Sequence, residues 1–256
     1  MPAQVQIHDC PLPYPFEVNL ARGGIIAHKS LFKFGFNGDV NGAEETIWSR
    51  GGIYVYPTVA EINTLSSTSA NDTANGTGAR TITISGLDAN YNEVTEVISL
   101  NGQTPVNTVN SYIRINRMFV TTAGSGGTAA GTIAAGTGTV TAGVPAVCYA
   151  EISNSDNQTL MSVWTVPAGY TAYIYRGTIS NATATGAQYI TGRLCFRPFG
   201  GVFRTAAKVT LHNQFVDFDF GIPIVLPEKT DIETRAASTA TNNAVSATFT
   251  VMYTKN

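Results

Sequence analysis

Charged side chains are scarce here, at 12% of 256 residues, about half the share of an ordinary soluble domain. Lysine and arginine stand singly and the net charge is −2, so there is no basic stripe to neutralise phosphates and no direct nucleic-acid binding is expected. The three cysteines, Cys10, Cys148 and Cys195, are odd in number and widely spaced. They provide no disulfide framework; the last two sit in apolar strand-like runs and read as buried free thiols. No run approaches the ~20 apolar residues of a membrane span, and the start, MPAQVQIHDCPLPYP, lacks the apolar core of a secretion signal. The expected setting is a reducing cytosol with no membrane partner.

Reactive constellations are missing as well. His8, His28 and His212 have no metal-ligand spacing to one another or to cysteine, so they read as structural histidines. Asp88-x-Asn90-x-Asn92 resembles the start of a calcium loop, but Glu93 stands where a turn glycine is needed and Ser99 where the closing glutamate belongs. The same letters suit a hairpin turn held by Asx side chains. Paired carboxylates at Glu44 and Glu45, Asp217 and Asp219, and Asp231 and Glu233 lie without the aromatic setting of a sugar-cleaving cleft. There is no nucleophile elbow, phosphate loop or dinucleotide fingerprint. No catalytic, metal-binding or cofactor-binding residue is assigned, no cofactor is expected, and the chain does not read as an enzyme.

What is present is β grammar. Ile82 and Ile84 alternate with Thr81, Thr83 and Ser85, while Val94, Ile98 and Leu100 share a side of the next run. Val216, Phe218 and Phe220 fall on one face of 215–220, opposite Phe215, Asp217 and Asp219. At the C-terminus Val245, Ala247, Phe249, Val251 and Tyr253 alternate strictly with Ser246, Thr248, Thr250 and Met252. Thr58-x-x-Glu61 has the spacing of a capping box and predicts one short helix. The expectation is an all-β chain of one or two β-sandwich or jelly-roll-like domains with an extended N-terminal arm.

Three sections follow from composition. Residues 1–45 form the arm, held extended by Pro2, Pro11, Pro13 and Pro15. Residues 46–152 form a β domain containing a Gly/Ala/Thr-rich loop at 121–146, a tract that cannot build a core of its own and is either a mobile loop or a ribbon ordered by neighbours. Residues 153–256 form a C-terminal β-sandwich. The arm carries too many apolar anchors for a solvated tail, so Phe16, Val18, Leu20, Phe32, Phe34 and Phe36 are the candidate contacts to a neighbouring subunit or shell. Trp48 and Trp164 are the natural platforms if the chain instead binds a receptor or carbohydrate, but both lie within apolar-patterned segments, which favours core or interface packing. Polar surface made from neutral hydroxyls and amides avoids the penalty of burying unpaired charge. That points to extensive protein contacts and a homo-oligomer, with a trimer expected.

The ordered series KFGFNGDVNGAEETIWSRGGIYVYP, GTGARTITISGLDANYNEVTEVISLNG, YIRINRMFV, NQTLMSVWTVPAGYTAYI, RPFGGVFRTAAKVTLHNQF and LPEKTDIETRA resembles a family of tailed-bacteriophage virion proteins over most of the chain after about residue 30. The resemblance implies a virion structural protein assembled in the host cytoplasm. Its expected place is the capsid surface, as a cement or decoration subunit bound to the major capsid protein or other virion proteins. A neck or tail component, or a receptor- or carbohydrate-binding β-sandwich, is the alternative.

Overall fold

The computed structural model describes residues 14–182, 189–239 and 241–256; His8, Cys10, Pro2, Pro11 and Pro13 lie outside them. One short helix, α1 (Phe16–Ala21), precedes β1 (His28–Val40), β2 (Glu45–Thr46), β3 (Glu61–Ser67), β4 (Ala79–Leu87), β5 (Glu93–Ser99), β6 (Val106–Tyr112), β7 (Arg114–Ala123) and β8 (Ile133–Thr141). Then come β9 (Val144–Ile152), β10 (Val163–Thr165), β11 (Tyr170–Ala182), β12 (Ile190–Arg197), β13 (Arg204–Leu211), β14 (Phe215–Leu226), β15 (Asp231–Ser238) and β16 (Asn243–Lys255). The chain is all-β, and among the described residues every strand pairing is antiparallel.

The alternation at the C-terminus becomes a central strand. β16 lies between β1 and β11, giving a sheet in the order β1-β16-β11-β14. Its Phe249 and Val251 point inward, where they meet Ile174 and Leu226 of the same sheet and Trp164, Leu194 and Ile232 of a second sheet. That second sheet runs β10-β15-β12-β13, with β2 also paired to β15. The remaining strands build another pair of sheets, β6-β3-β8-β9 and β5-β4-β7, closed on Leu65, Ile82, Ile84, Met118, Ile133 and Ile152. This second pair of sheets is inserted between β2 and β10, so the polypeptide leaves the first pair after Thr46 and returns at Val163.

The insertion changes the expected boundaries. Residues 28–40, assigned to the arm, are a full strand of the C-terminal sheet, paired to β16 from His28↔Thr254 to Val40↔Asn243. Glycine in this segment serves packing. A Cβ on Gly35 would overlap Ile47 O and Ser162 N, so glycine there lets the strand close onto the facing layer.

One local expectation also changes, and at 121–146 the second of two alternatives holds. The helix anticipated after Thr58 is absent; Glu61 opens β3, which pairs with both β6 and β8. Pairing on both edges outweighs a capping signal of about 1 kcal/mol. The tract at 121–146 is mostly strand, comprising the end of β7, all of β8 and the start of β9. Neighbours supply its order. The buried Asp72 carboxylate accepts hydrogen bonds from the backbone N–H groups of Ala79 (2.7 Å), Ala130 (2.9 Å) and Gly131 (2.9 Å) and from Ser67 Oγ (2.6 Å). Small side chains at 134–136 then allow close strand packing, since a Cβ on Gly136 would overlap Val147 O.

Candidate subunit-contact surface

β1 is an edge strand with an inverted face. Lys33, Gly35 and Asn37 are buried, while Phe32 is 59% exposed, Phe36 is 39% exposed and Phe34 is half-buried. The reason is register. Phe32, Phe34 and Phe36 stand opposite Thr250, Thr248 and Ser246 of β16, and cross-strand partners share a face. β16 turns Val245, Ala247, Phe249 and Val251 to the core, so the three phenylalanines must look outward. The same outer face continues through Arg176, Thr178 and Ser180 of β11 to Asp219, Asp217 and Phe215 of β14. Arg176 and Asp219 form an exposed ion pair there (3.1 Å), and Phe215 is also exposed. An aromatic row on an unpaired edge, beside a field of hydroxyls, is the composition of a contact surface more than of a solvated one.

The other expected contacts divide. Phe16 and Val18 of α1 are exposed, whereas Leu20 is buried, and α1 lies against β1. Both tryptophans are inaccessible: Trp48 and Trp164 are each 4% exposed, so neither is a platform for a sugar or receptor. Cys148 and Cys195 are buried and free, and burial pushes the Cys148 thiol up to about 12, which keeps it protonated. Among the described residues no three of His, Cys, Asp and Glu gather as a metal site, and no helix is long and apolar enough to cross a membrane. At Asp88 the expected Asx turn is present, its Oδ1 accepting from Asn90 N (2.8 Å) and Asn92 N (2.9 Å).

Where the two sheet pairs meet, sequence reasoning missed a charged cluster. Asp231 on β15 accepts from Arg114 of β7 (Nε–Oδ1 2.9 Å, Nη2–Oδ2 3.1 Å), from Arg197 of β12 (Nε–Oδ2 3.0 Å) and from Thr165 Oγ1 (2.6 Å). Arg114 also donates to the Pro57 and Ile113 carbonyls. The Tyr56 ring is covered by both guanidiniums, with Cζ atoms 4.9 and 4.5 Å from its centroid. Nearby, burial raises Glu233 despite its Arg235 partner. A second buried cation stands alone. Lys33 donates to the Asn116 carbonyl, and burial, reinforced by Arg117, lowers its ammonium to about 7.

No family model matches this chain, and no curated protein does. Among solved structures it is similar to the VP2 subviral particle of infectious bursal disease virus, with 11% identity and a TM-score of 0.25, covering 95% of this chain and 78% of that one. A structure of T=1 particles derived from the same virus gives 11% identity and a TM-score of 0.23, covering 90% and 70%. These neighbours are viral capsid proteins; likeness at this level carries no argument about what the present chain does.

Proposed function

We propose that the chain is a structural protein of a tailed-bacteriophage virion that attaches to the capsid surface as a cement or decoration subunit. The observation that carries this reading is the inverted β1: an edge strand that presents Phe32, Phe34 and Phe36 outward and buries a lysine. Such a face gains free energy only when covered, at about 25 cal/mol per Å² of apolar area before association costs. Repetition over a shell multiplies many modest contacts.

The strand order supports the reading. The eight strands β1 and β10 to β16 lie as β1-β16-β11-β14 against β10-β15-β12-β13, the order of a jelly roll in which the chain crosses repeatedly between two four-stranded sheets. That architecture recurs in viral shell proteins, though also in lectins and cupins. The inserted sandwich is then a projecting module between the first and second strands of the roll. The resemblance of the ordered sequence segments to tailed-phage virion proteins agrees with both. On this reading the partners are the major capsid protein and further copies of the chain, most simply a trimer, and the work is mechanical rather than catalytic.

The test is attachment. Purified protein carrying Phe32→Asp and Phe36→Asp is expected to melt at the same temperature as the parent and to lose binding to empty shells of its own phage. Unchanged binding would remove this face from the attachment mechanism. Particles lacking the protein should leak or burst; intact particles that fail to adsorb would instead mark a receptor binder, and tailless heads a neck component.

A further inference from the structure

We propose that the cleft between the two sandwiches binds a carboxylate-bearing sugar, a uronic or sialic acid unit, gripped by Arg197 and Lys229 against the rings of Tyr91 and Phe199. The site stands apart from the outer face of β1 and does not rest on the attachment reading. Four turns build it: the segment before β3, the β4–β5 hairpin carrying Tyr91, the β12–β13 turn carrying Phe199, and the β14–β15 turn carrying Lys229. Together they enclose about 330 Å³, in the range of small-molecule sites and more than an aspartate or glutamate side chain fills.

Charge is unbalanced there. The lining holds Arg114, Arg197 and Lys229 against one carboxylate, Asp231. Asp231 is occupied by Arg114, by Thr165 and by the Nε–Nη2 edge of Arg197. Among the described residues no acceptor stands on Arg197 Nη1 or Lys229 Nζ. The next carboxylates are engaged elsewhere: Glu228 accepts from Gly169 N (2.5 Å), and Glu233 faces Arg235 and Thr46. With three cations against one carboxylate, this partly buried cleft focuses a positive potential on an incoming anion.

The walls narrow the anion's identity. Tyr91 and Phe199 meet edge to face at 5.8 Å, with Lys229 Nζ 5.5 and 5.3 Å from their centroids. Phe199 is 66% exposed at a turn tip, an unfavourable position unless something apolar covers it. The C–H face of a sugar ring does so while its carboxylate reaches the cations. Phosphate is the weaker fit, because turn amides that would form an anion nest are used internally: Gly201 N donates to Pro198 O and Lys229 N to Val166 O, each at 2.8 Å.

The experiment is saturation-transfer NMR on the full chain with glucuronic acid and N-acetylneuraminic acid, with glucose, inorganic phosphate and an acidic peptide as comparisons. At least one acidic sugar should bind saturably and glucose about tenfold more weakly or not at all, since a charged hydrogen bond is lost. Lys229→Ala and Phe199→Ala should each weaken acidic-sugar binding about tenfold with melting unchanged, because neither residue belongs to the Arg114–Asp231 link. The proposal is overturned if neither acidic sugar saturates, if glucose binds equally well, if both variants bind as the parent does, or if only phosphate or only the peptide binds.

Discussion

Arg114 and Asp231, 117 positions apart in sequence, join the two sheet pairs through paired hydrogen bonds of 2.9 and 3.1 Å, with both side chains almost wholly buried. Arg114 comes from β7 of the inserted pair and Asp231 from β15 of the other. The carboxylate also holds Arg197 and Thr165, so one residue ties the insertion to the other sheets and forms part of the cleft wall.

The link should be strong but asymmetric. Asp231→Ala strands two guanidiniums and is expected to cost about 3–5 kcal/mol. Arg114→Met should cost less, because Arg197 and Thr165 still satisfy the carboxylate, and Arg197→Met least, since that side chain is partly solvated. Chemical denaturation of the three variants checks the order; equal losses would mean that the pairs act as one unit.

Lys33 makes stability depend on pH. Its folded-state pKa is about 7 against about 10.4 in an unfolded chain. Between these values the unfolded state binds a proton that the folded state does not, so this residue's contribution makes stability rise with pH from about 7 upward. Below about 7 the folded protein carries the full cost of a buried charge. Lys33→Met should therefore stabilise the protein at pH 7 by about 1–3 kcal/mol. The parent's deficit should shrink by pH 9.5, before tyrosine ionisation intervenes. Denaturant melts of both proteins at several pH values give the difference; a gap constant from pH 6 to 9.5 would contradict the assignment.

The C-terminal strand was legible because one face is buried and period 2 follows directly: Val245, Ala247, Phe249 and Val251 are all inside. The Asp88 turn was legible because its chemistry is local. β1 has the same period with the opposite sense, and Phe32 and Phe36 give no signal of which way they face until Thr250 and Ser246 stand opposite them. Gly35 serves close packing against Ile47 and Ser162, which are distant in sequence, so no local pattern announces it. The cluster at Asp231 draws on β7, β10, β12 and β15, so no spacing motif announces it. Its traces in sequence are the Asp231 and Glu233 pair and a few arginines in a chain with little charge.

Asp72 should be indispensable to the Gly/Ala/Thr tract. Asp72→Ala leaves the Ala79, Ala130 and Gly131 amides without their acceptor, at about 1–3 kcal/mol for each that water fails to reach. A total loss of about 3–5 kcal/mol is expected, with Asp72→Asn milder because its carbonyl still accepts. Hydrogen exchange at Ala130 and Gly131 should rise sharply in the alanine variant; protection equal to the parent would show that the tract orders itself.

Two truncations separate attachment from folding. Removing residues 2–27 deletes α1 with Phe16, Val18 and Leu20 but stops before β1. Among its described residues Leu20 is the one buried apolar side chain, so melting should fall by only a few degrees. Removing residues 2–40 uncovers the edge of β16 and removes Val40, which is fully buried; that protein is expected to aggregate or unfold, since a long unpaired edge invites association. Shell binding of the shorter deletion decides whether α1 contributes to attachment. Binding reduced with melting intact assigns α1 an intermolecular role, whereas binding equal to the parent leaves the aromatic face of β1 as the attachment element.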